Sequence, residues 1–363
     1  MAKVQMEYNF LGRSGVRVSN ICLGTMTFGK INVMGGRPGN LDEEAAHVMM
    51  DRFAELGGNF LDTADAYQFG ESEKIVGSWL QKQDREKFVL ATKVGVPMSF
   101  DDPNSLGTSR KHVMHGVEQS LKRLQTDYID LYQTHVWDNG TPVEETLRSL
   151  SDLVRAGKVR YIGVSNVAGW QLQKITDLVK YMGLEKVVSL QQQYNLLCRE
   201  TEYEVLDVCI NEGIGFLPWS PLKGGWLSGK FKRGMGAGGA SSSRIGWVSE
   251  KAGERILQSA PSWDQYDNDK TWTLLEAMER IGKEHGKSVA QVAIRWLLQR
   301  PTVSAVIIGA TKMSQMEDNI GAAAGWELTD DQMQELNKLS MPVIPYPYEM
   351  IRRANKMRKE SEF

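Results

Sequence analysis

The amino-acid sequence predicts a single α/β domain built as a closed, all-parallel barrel of eight strand and helix units, and three observations carry that expectation. Short apolar runs recur eight times, each followed by a stretch with helical periodicity, the pattern of parallel strands joined by crossover helices. Eight such units can close on themselves and leave no exposed edge strand, which favours a (β/α)8 TIM barrel over an open doubly wound sheet. Polar side chains capable of proton transfer stand at the ends of the second, third and fourth runs, where parallel barrels carry their function. The 363 residues fit one such barrel with insertions, so residues 1–363 are read as one domain.

The elements follow in order. Tyr8 to Val18 alternate apolar and polar residues around a Gly12-to-Gly15 turn, which predicts a hairpin that plugs one end of the barrel. Ile21–Gly24 is the first barrel strand, and Asp42–Glu43–Glu44 open a helix that runs to Leu56, with the acidic residues at its positive end. Gly57–Gly58 breaks that helix before the strand Asn59–Asp62, a helix near Ser72–Leu80 and the strand Phe88–Lys93. Val113, Val117, Leu121 and Leu124 share one face of a helix from Ser109 to Leu124. The alternation continues through Ile129–Thr134, a helix at Pro142–Ala156, Val159–Val164, a helix at Trp170–Tyr181, Val187–Gln192, a helix near Glu204–Glu212 and the seventh strand, Gly215–Trp219. Helices near Trp272–Glu284 and Ser288–Gln299, a last strand at Val303–Ile308 and a helix at Ser314–Ala323 complete the barrel.

Two segments stand outside this rhythm. The loop 220–267 after the seventh strand is rich in Gly and Ser, carries Lys223, Lys230, Lys232, Arg233 and Arg244, and is too long for an ordinary connection, which predicts a functional lid. The tail 342–363, with P-V-I-P-Y-P-Y and then a basic run from Arg352 to Lys359, is expected to cross the barrel mouth or to stay loose.

Composition excludes several classes of function. A net charge of −2 gives no electrostatic footprint for nucleic acid or an anionic membrane. No run approaches the ~18 uninterrupted apolar residues of a membrane span, and Met1–Glu7 lack the apolar core of a signal peptide, so a cytoplasmic protein is expected. Cys22, Cys198 and Cys209 are odd in number and form no C-x-x-C, and read as buried thiols. Gly234–Gly239 spells G-x-G-x-x-G but opens no amphipathic helix, and Gly224–Phe231 resembles a phosphate loop with Phe231 where a hydroxyl must hold magnesium, so both are rejected. His112 and His115 lie three apart on a helix with no carboxylate pattern beside them, which predicts a surface pair and no metal site.

The strand ends carry the chemistry. The stretch Asn59–Tyr67, N-F-L-D-T-A-D-A-Y, carries Asp62 and Tyr67, Lys93 ends the third run and His135 follows the fourth. Any one of them alone is ordinarily a solvated or hydrogen-bonded structural residue; the four in this order are hard to explain as packing. Together with L-G-T-M-T-F-G (Leu23–Gly29), R-L-Q-T-D-Y-I-D-L-Y-Q-T-H (Arg123–His135), G-V-S-N (Gly163–Asn166), P-W-S-P-L (Pro218–Leu222) and I-G-A-T-K…D-N (Ile308–Asn319), they make nearly the whole chain resemble the aldo-keto reductase family, in its longer, bacterial-type and potassium-channel-β-like branch.

That resemblance implies Asp62, Tyr67, Lys93 and His135 as a catalytic group. A phenol at its free pKa of about 10 is a reluctant acid–base partner; an ammonium beside it would favour the phenolate and lower that pKa, while a carboxylate keeps the lysine charged and placed. Lys93 and Asp62 suit those roles, and the His135 imidazole would orient the substrate oxygen.

The resemblance also implies a nicotinamide cofactor across the barrel mouth, NADPH with NADH as the alternative, and no metal. Gly24, Thr25, Met26 and Asp62 would border it, Ser165, Asn166 and Gln191 would hold the carboxamide, and Trp219 would stack on the ring. Ser220, Pro221, Leu222, Gly224, Lys230 and Arg244 would lie along the pyrophosphate. Ile308, Gly309, Thr311, Lys312, Gln315, Asp318 and Asn319 would surround the adenosine end near a helix N-terminus. Here the chain departs from the shorter members: Gly309–Ala310 replaces a Lys-Ser pair and Gln315 replaces an Arg, which leaves Lys312 as the main local cation. The substrate would be a small aldehyde or ketone, including a sugar-derived oxo compound, contacted by Phe28, Tyr67, His135 and Trp137, with Phe69 and Trp226 as further apolar walls and Lys223 on the rim. The competing reading is a channel-β-like regulatory module that binds the cofactor and turns over little; a barrel hydrolase or lyase using Asp62 with another carboxylate would bind no nicotinamide. Oligomeric state is not legible.

Overall fold

The computed structural model describes residues 6–30, 40–239 and 262–355. Tyr8–Phe10 (β1) and Arg17–Ser19 (β2) form the expected antiparallel hairpin, with Tyr8 opposite Ser19. Its turn lies across the bottom of the barrel. Gly12 adopts φ +56° there, and a Cβ on it would stand 2.3 Å from the Val188 carbonyl oxygen and 2.6 Å from the Gly215 nitrogen, so only glycine fits. Leu11, on the same turn, is fully buried among the side chains that fill the barrel.

Eight parallel strands follow: Ile21–Gly24 (β3), Phe60–Asp62 (β4), Val89–Val94 (β5), Ile129–Thr134 (β6), Val159–Ser165 (β7), Val187–Gln193 (β8), Gly215–Trp219 (β9) and Val306–Ile308 (β10). They are hydrogen-bonded in sequence order, with β10 beside β3. The remaining seam closes where the Phe216 N–H donates to the Thr302 carbonyl at 2.8 Å and the Ser304 N–H donates back to the Phe216 carbonyl at 2.9 Å. The last strand was expected from Val303; residues 303–305 instead run beside β9, after a left-handed Thr302 (φ +65°) turns the chain, and regular pairing with β3 starts at Val306.

Period-two alternation along these strands builds two cores. Cys22, Phe60, Val89, Ala91, Leu131, Leu217, Ala305 and Ile307 fill the lower barrel with the hairpin's Leu11 and Val18. The opposite faces pack against the surrounding helices, among them α1 (Glu43–Glu55), α2 (Glu71–Leu80), α3 (Arg110–Leu124), α4 (Val143–Arg155), α5 (Gly169–Met182) and α6 (Val205–Glu212). The starts of α1 and α3 are fixed by side-chain caps, Asp42 accepting from the Ala45 N–H and Ser109 from the His112 N–H.

Several expectations need correction. His112 is buried and only His115 is exposed, because the α3 face that carries Val113 and Val117 also turns His112 inward. Cys22 and Cys209 are buried, but Cys198 is half-buried. The helix Asp330–Ser340 escaped the sequence reading, although its Thr329–Gln332 capping box was a legible start signal. Within the long loop, Lys223–Ser228 forms a tight turn that buries Trp226 against Phe231, Trp263, Tyr266 and Trp272, with ring centroids 4.9–5.8 Å apart. The centre of that loop, Arg244 included, and the end of the tail lie outside the described residues. The described tail rests on the loop after β8, where Tyr348 stacks on Tyr203 at 5.3 Å and donates to Glu204 at 2.7 Å. Among the described residues no helix is long and apolar enough to cross a membrane.

Candidate active site

The C-terminal ends of β4 to β9 converge on one polar layer above the apolar barrel filling. Register places Gly24 beside Asp62, Lys93 beside Gln133 and Ser165 beside Gln191. Alternation turns Lys93 into the barrel and Thr92 outward, where its hydroxyl donates to Glu73 of α2 at 2.6 Å.

Lys93 Nζ is the hub. Its three N–H groups reach Asp62 Oδ2 at 2.6 Å, the Thr63 carbonyl at 2.8 Å and the Tyr67 hydroxyl oxygen at 3.2 Å. Lys93 is fully buried and Asp62 is 2 % exposed, so this ion pair is strongly desolvated. Asp62 Oδ1 accepts from Gln191 Nε2 at 2.8 Å and from Gln133 Nε2 at 3.3 Å, which shares the carboxylate's charge among three donors. Gly163 makes room for this: a Cβ there would come within 3.1 Å of Gln133 Cγ and 2.5 Å of Ser189 Oγ.

Electrostatics follow from this geometry. Burial alone would depress the Lys93 pKa, but the Asp62 carboxylate and then Tyr67 outweigh it and hold the ammonium above its usual value. Tyr67 differs from expectation: burial raises its phenol more than Lys93 lowers it, and the net shift is upward. The phenol is therefore held protonated at neutral pH. The His135 ring stands edge-on to Tyr67 at 5.8 Å, and burial, followed by the Lys93 charge, pushes its pKa down to about 3, so the imidazole is neutral.

Beneath the loop that carries Tyr67 lies a second, outward-facing group. Glu73 accepts from Arg123 Nε at 2.6 Å as well as from Thr92, and Asp65, 1 % exposed, receives no side-chain donor among the described residues. Burial, then the Glu73 charge, raises Asp65 to about 8. Backbone strain gathers at the same end of the barrel: of the seven non-glycine residues with positive φ among the described residues, Gln68, Phe69, Asn166, Ser220 and Lys223 stand in loops that follow strand ends at the mouth. Such strain concentrates at functional sites.

The groups expected to hold a dinucleotide fall along this rim. Gln191 commits Nε2 to Asp62, while no donor engages its Oε1 among the described residues, which leaves an acceptor of the kind a carboxamide needs. Half-buried Trp219 is fixed by its indole N–H, which donates to Asn166 Oδ1 at 3.3 Å, and Asn166 Nδ2 in turn donates to the His135 carbonyl at 2.8 Å and to Ser165 Oγ at 3.0 Å. A Cβ on Gly309 would meet open space, and the helix Met313–Ile320 starts without a side-chain cap, with exposed Lys312 at its N-cap. These features fit a nicotinamide dinucleotide. Gln315 is spent differently, its Oε1 accepting from the Thr311 N–H and hydroxyl, and Asp318 turns away to accept from Ser288 Oγ at 2.9 Å, fastening its helix to the start of the preceding one, Val289–Leu298. Gly24, Met26, Ser220, Leu222 and Gly224 are partly exposed and Lys230 is exposed on the rim, whereas Thr25, Pro221, Ile308 and Asn319 are buried.

On the substrate side Phe28 and Trp226 are corrected: both are fully buried, Trp226 in the aromatic cluster that anchors the loop. Lys223 also turns inward, 6 % exposed, donating to Gln193 Oε1 at 2.9 Å. Phe69, 37 % exposed, and half-buried Trp137 remain at the mouth. Sequence reasoning missed Gln133, although a polar residue two before His135 in an apolar strand shares its face by period two.

Fold and site together define a parallel barrel with a buried cluster of Asp62, Lys93 and Tyr67 at its C-terminal face. The chain belongs to the aldo/keto reductase family, whose pattern matches residues 20–341. It is 39% identical over 354 residues to the protein named uncharacterized oxidoreductase YrpG of Bacillus subtilis (strain 168), covering 94% of this chain and 97% of that one. It is 33% identical to versiconal hemiacetal acetate reductase of Aspergillus parasiticus, covering 95% and 100%, and 32% identical to norsolorinic acid reductase of Aspergillus flavus, covering 92% and 81%. The protein is thus an NAD(P)H-dependent oxidoreductase of that family.

Proposed function

We propose that this protein reduces an aldehyde or ketone to an alcohol with NADPH, with Tyr67 as proton donor. The observation that carries the reading is the placement of Lys93 Nζ between Asp62 Oδ2 and the Tyr67 hydroxyl, at 2.6 and 3.2 Å. The bound nicotinamide supplies the hydride. The neutral His135 imidazole and the Tyr67 hydroxyl orient the carbonyl oxygen, and as charge develops on that oxygen Tyr67 gives up its proton. The charged Lys93 stabilises the phenolate that remains, and Asp62, held by Gln133 and Gln191, keeps Lys93 in place. Lys312 at the uncapped helix start supports the choice of NADPH by offering a cation to the 2′-phosphate.

Two relatives are named as reductases of norsolorinic acid and of versiconal hemiacetal acetate. With Lys223 turned inward and Phe69 and Trp137 at the mouth, an apolar carbonyl compound suits this rim better than a sugar-derived oxo acid. The test is steady-state oxidation of NADPH with a panel of aromatic, aliphatic and sugar aldehydes, together with cofactor titration by fluorescence. Turnover that disappears in Tyr67→Phe while cofactor binding persists supports the enzyme; tight cofactor binding with negligible turnover of any carbonyl would instead identify a regulatory module.

A further inference from the structure

Helix α5 presents two different faces. Leu172, Ile175, Thr176 and Val179 are buried against the barrel. The opposite side shows Trp170, Lys174, Asp177 and Tyr181, spaced four, three and four residues apart, so they form one line along the helix. Trp170, its ring edge-on to Trp137 with centroids 5.7 Å apart, is 60 % exposed, and Tyr181 is 90 % exposed. Lys174 has no ion-pair partner among the described residues, and Asp177 accepts only from Gln173 of its own helix, at 2.9 Å. Aromatic surface left in water in this way marks a binding face.

The order of the four residues says what covers it. An axis crossing the helix midway between Ile175 and Thr176 exchanges Trp170 with Tyr181 and Lys174 with Asp177, because the members of each pair lie at equal distances from it along the chain. The stripe is therefore complementary to itself when a second copy lies antiparallel. We infer that α5 is a two-fold dimer surface, on which Lys174 of each copy meets Asp177 of the other and Trp170 meets Tyr181. The four-three-four spacing is that of the seam along which two helices interlock their side chains. The same patch on both copies gives a closed assembly and no open chain. A protein of different sequence would need its own matching order of charge and ring; a second copy has it already. One helix pair covers less than the roughly 1,600 Å² of a standard interface, so the dimer forms at micromolar concentration and dissociates on dilution. The charge pairs set the register more than they add strength.

Sedimentation equilibrium of the full chain from low to high micromolar concentration tests this. The expected result is a monomer–dimer equilibrium weakened about tenfold or more by Lys174→Asp or by Asp177→Lys, each of which sets like charges opposite one another. The doubly reversed variant, Lys174→Asp with Asp177→Lys, restores the pairing and the original affinity. Tyr181→Glu abolishes association while leaving NADPH oxidation unchanged, which shows that the variant is folded. A protein that stays monomeric throughout, a dimer indifferent to the single reversals, or a double reversal that fails to recover would overturn the inference.

Discussion

Lys93 and Asp62 meet at 2.6 Å in the barrel with almost no solvent contact, and the Asp62 carboxylate is the chief charge that keeps the Lys93 ammonium protonated there. Removing one partner of such a pair strands the other, at a cost of about 3–5 kcal/mol. Lys93→Met is therefore expected to destabilise the fold by that order and to abolish turnover. Lys93→Met combined with Asp62→Asn should recover most of the stability and none of the activity. Urea denaturation of the three proteins checks this; a double variant no more stable than Lys93→Met alone would show that the pair is not what the barrel depends on.

Asp65 makes stability fall as pH rises from about 4 to 8. Its folded pKa is raised to about 8 by burial and then by Glu73, whereas an unfolded aspartate titrates near 3.9. Between roughly pH 4 and pH 8 the unfolded chain releases a proton that the native protein keeps. Stability contributed by this group is complete below that window and falls by about 1.4 kcal/mol per pH unit as pH rises through it. Asn resembles the protonated acid in shape, so Asp65→Asn should remove the slope and gain stability at pH 8 relative to the parent. Equal pH dependence of the two proteins in denaturation experiments would contradict this account.

His135 works in the opposite direction. Its folded pKa lies near 3 and its unfolded value near 6.5, so below about pH 6.5 the unfolded chain takes up a proton that the native protein refuses. The stability of the neutral imidazole is present above that pH and is lost as pH falls toward 3. His135→Gln is expected to flatten this acid limb. The rate of carbonyl reduction should show no histidine inflection between about pH 5 and 8, a range in which an unperturbed imidazole would titrate.

The proposed preference for NADPH rests on one exposed cation. Because Gln315 is occupied by Thr311 and Asp318 by Ser288, Lys312 is the charged side chain left at the start of its helix. Lys312→Ala should weaken NADPH binding about tenfold, the scale of one charged hydrogen bond, and leave NADH nearly unaffected. Equal losses for both cofactors, measured by fluorescence titration, would remove Lys312 from that role.

Sequence patterning alone determined the barrel, because eight apolar runs separated by helical stretches admit few closed arrangements and the strand ends lie within a residue or two of where periodicity put them. It also put Asp62, Tyr67, Lys93 and His135 at neighbouring strand ends, since parallel topology brings such ends together. Only the tertiary structure decided what those groups experience. Whether Lys93 or burial governs the Tyr67 phenol depends on how much water the barrel excludes, a quantity no local pattern contains. Gln133 joining Asp62, Asp318 turning to Ser288, and Phe28 and Trp226 withdrawing into the core are outcomes of register and of competition for space and hydrogen-bond partners among residues 30 to 129 positions apart. Strand and helix period is written along the chain, whereas desolvation and partner choice are set across it.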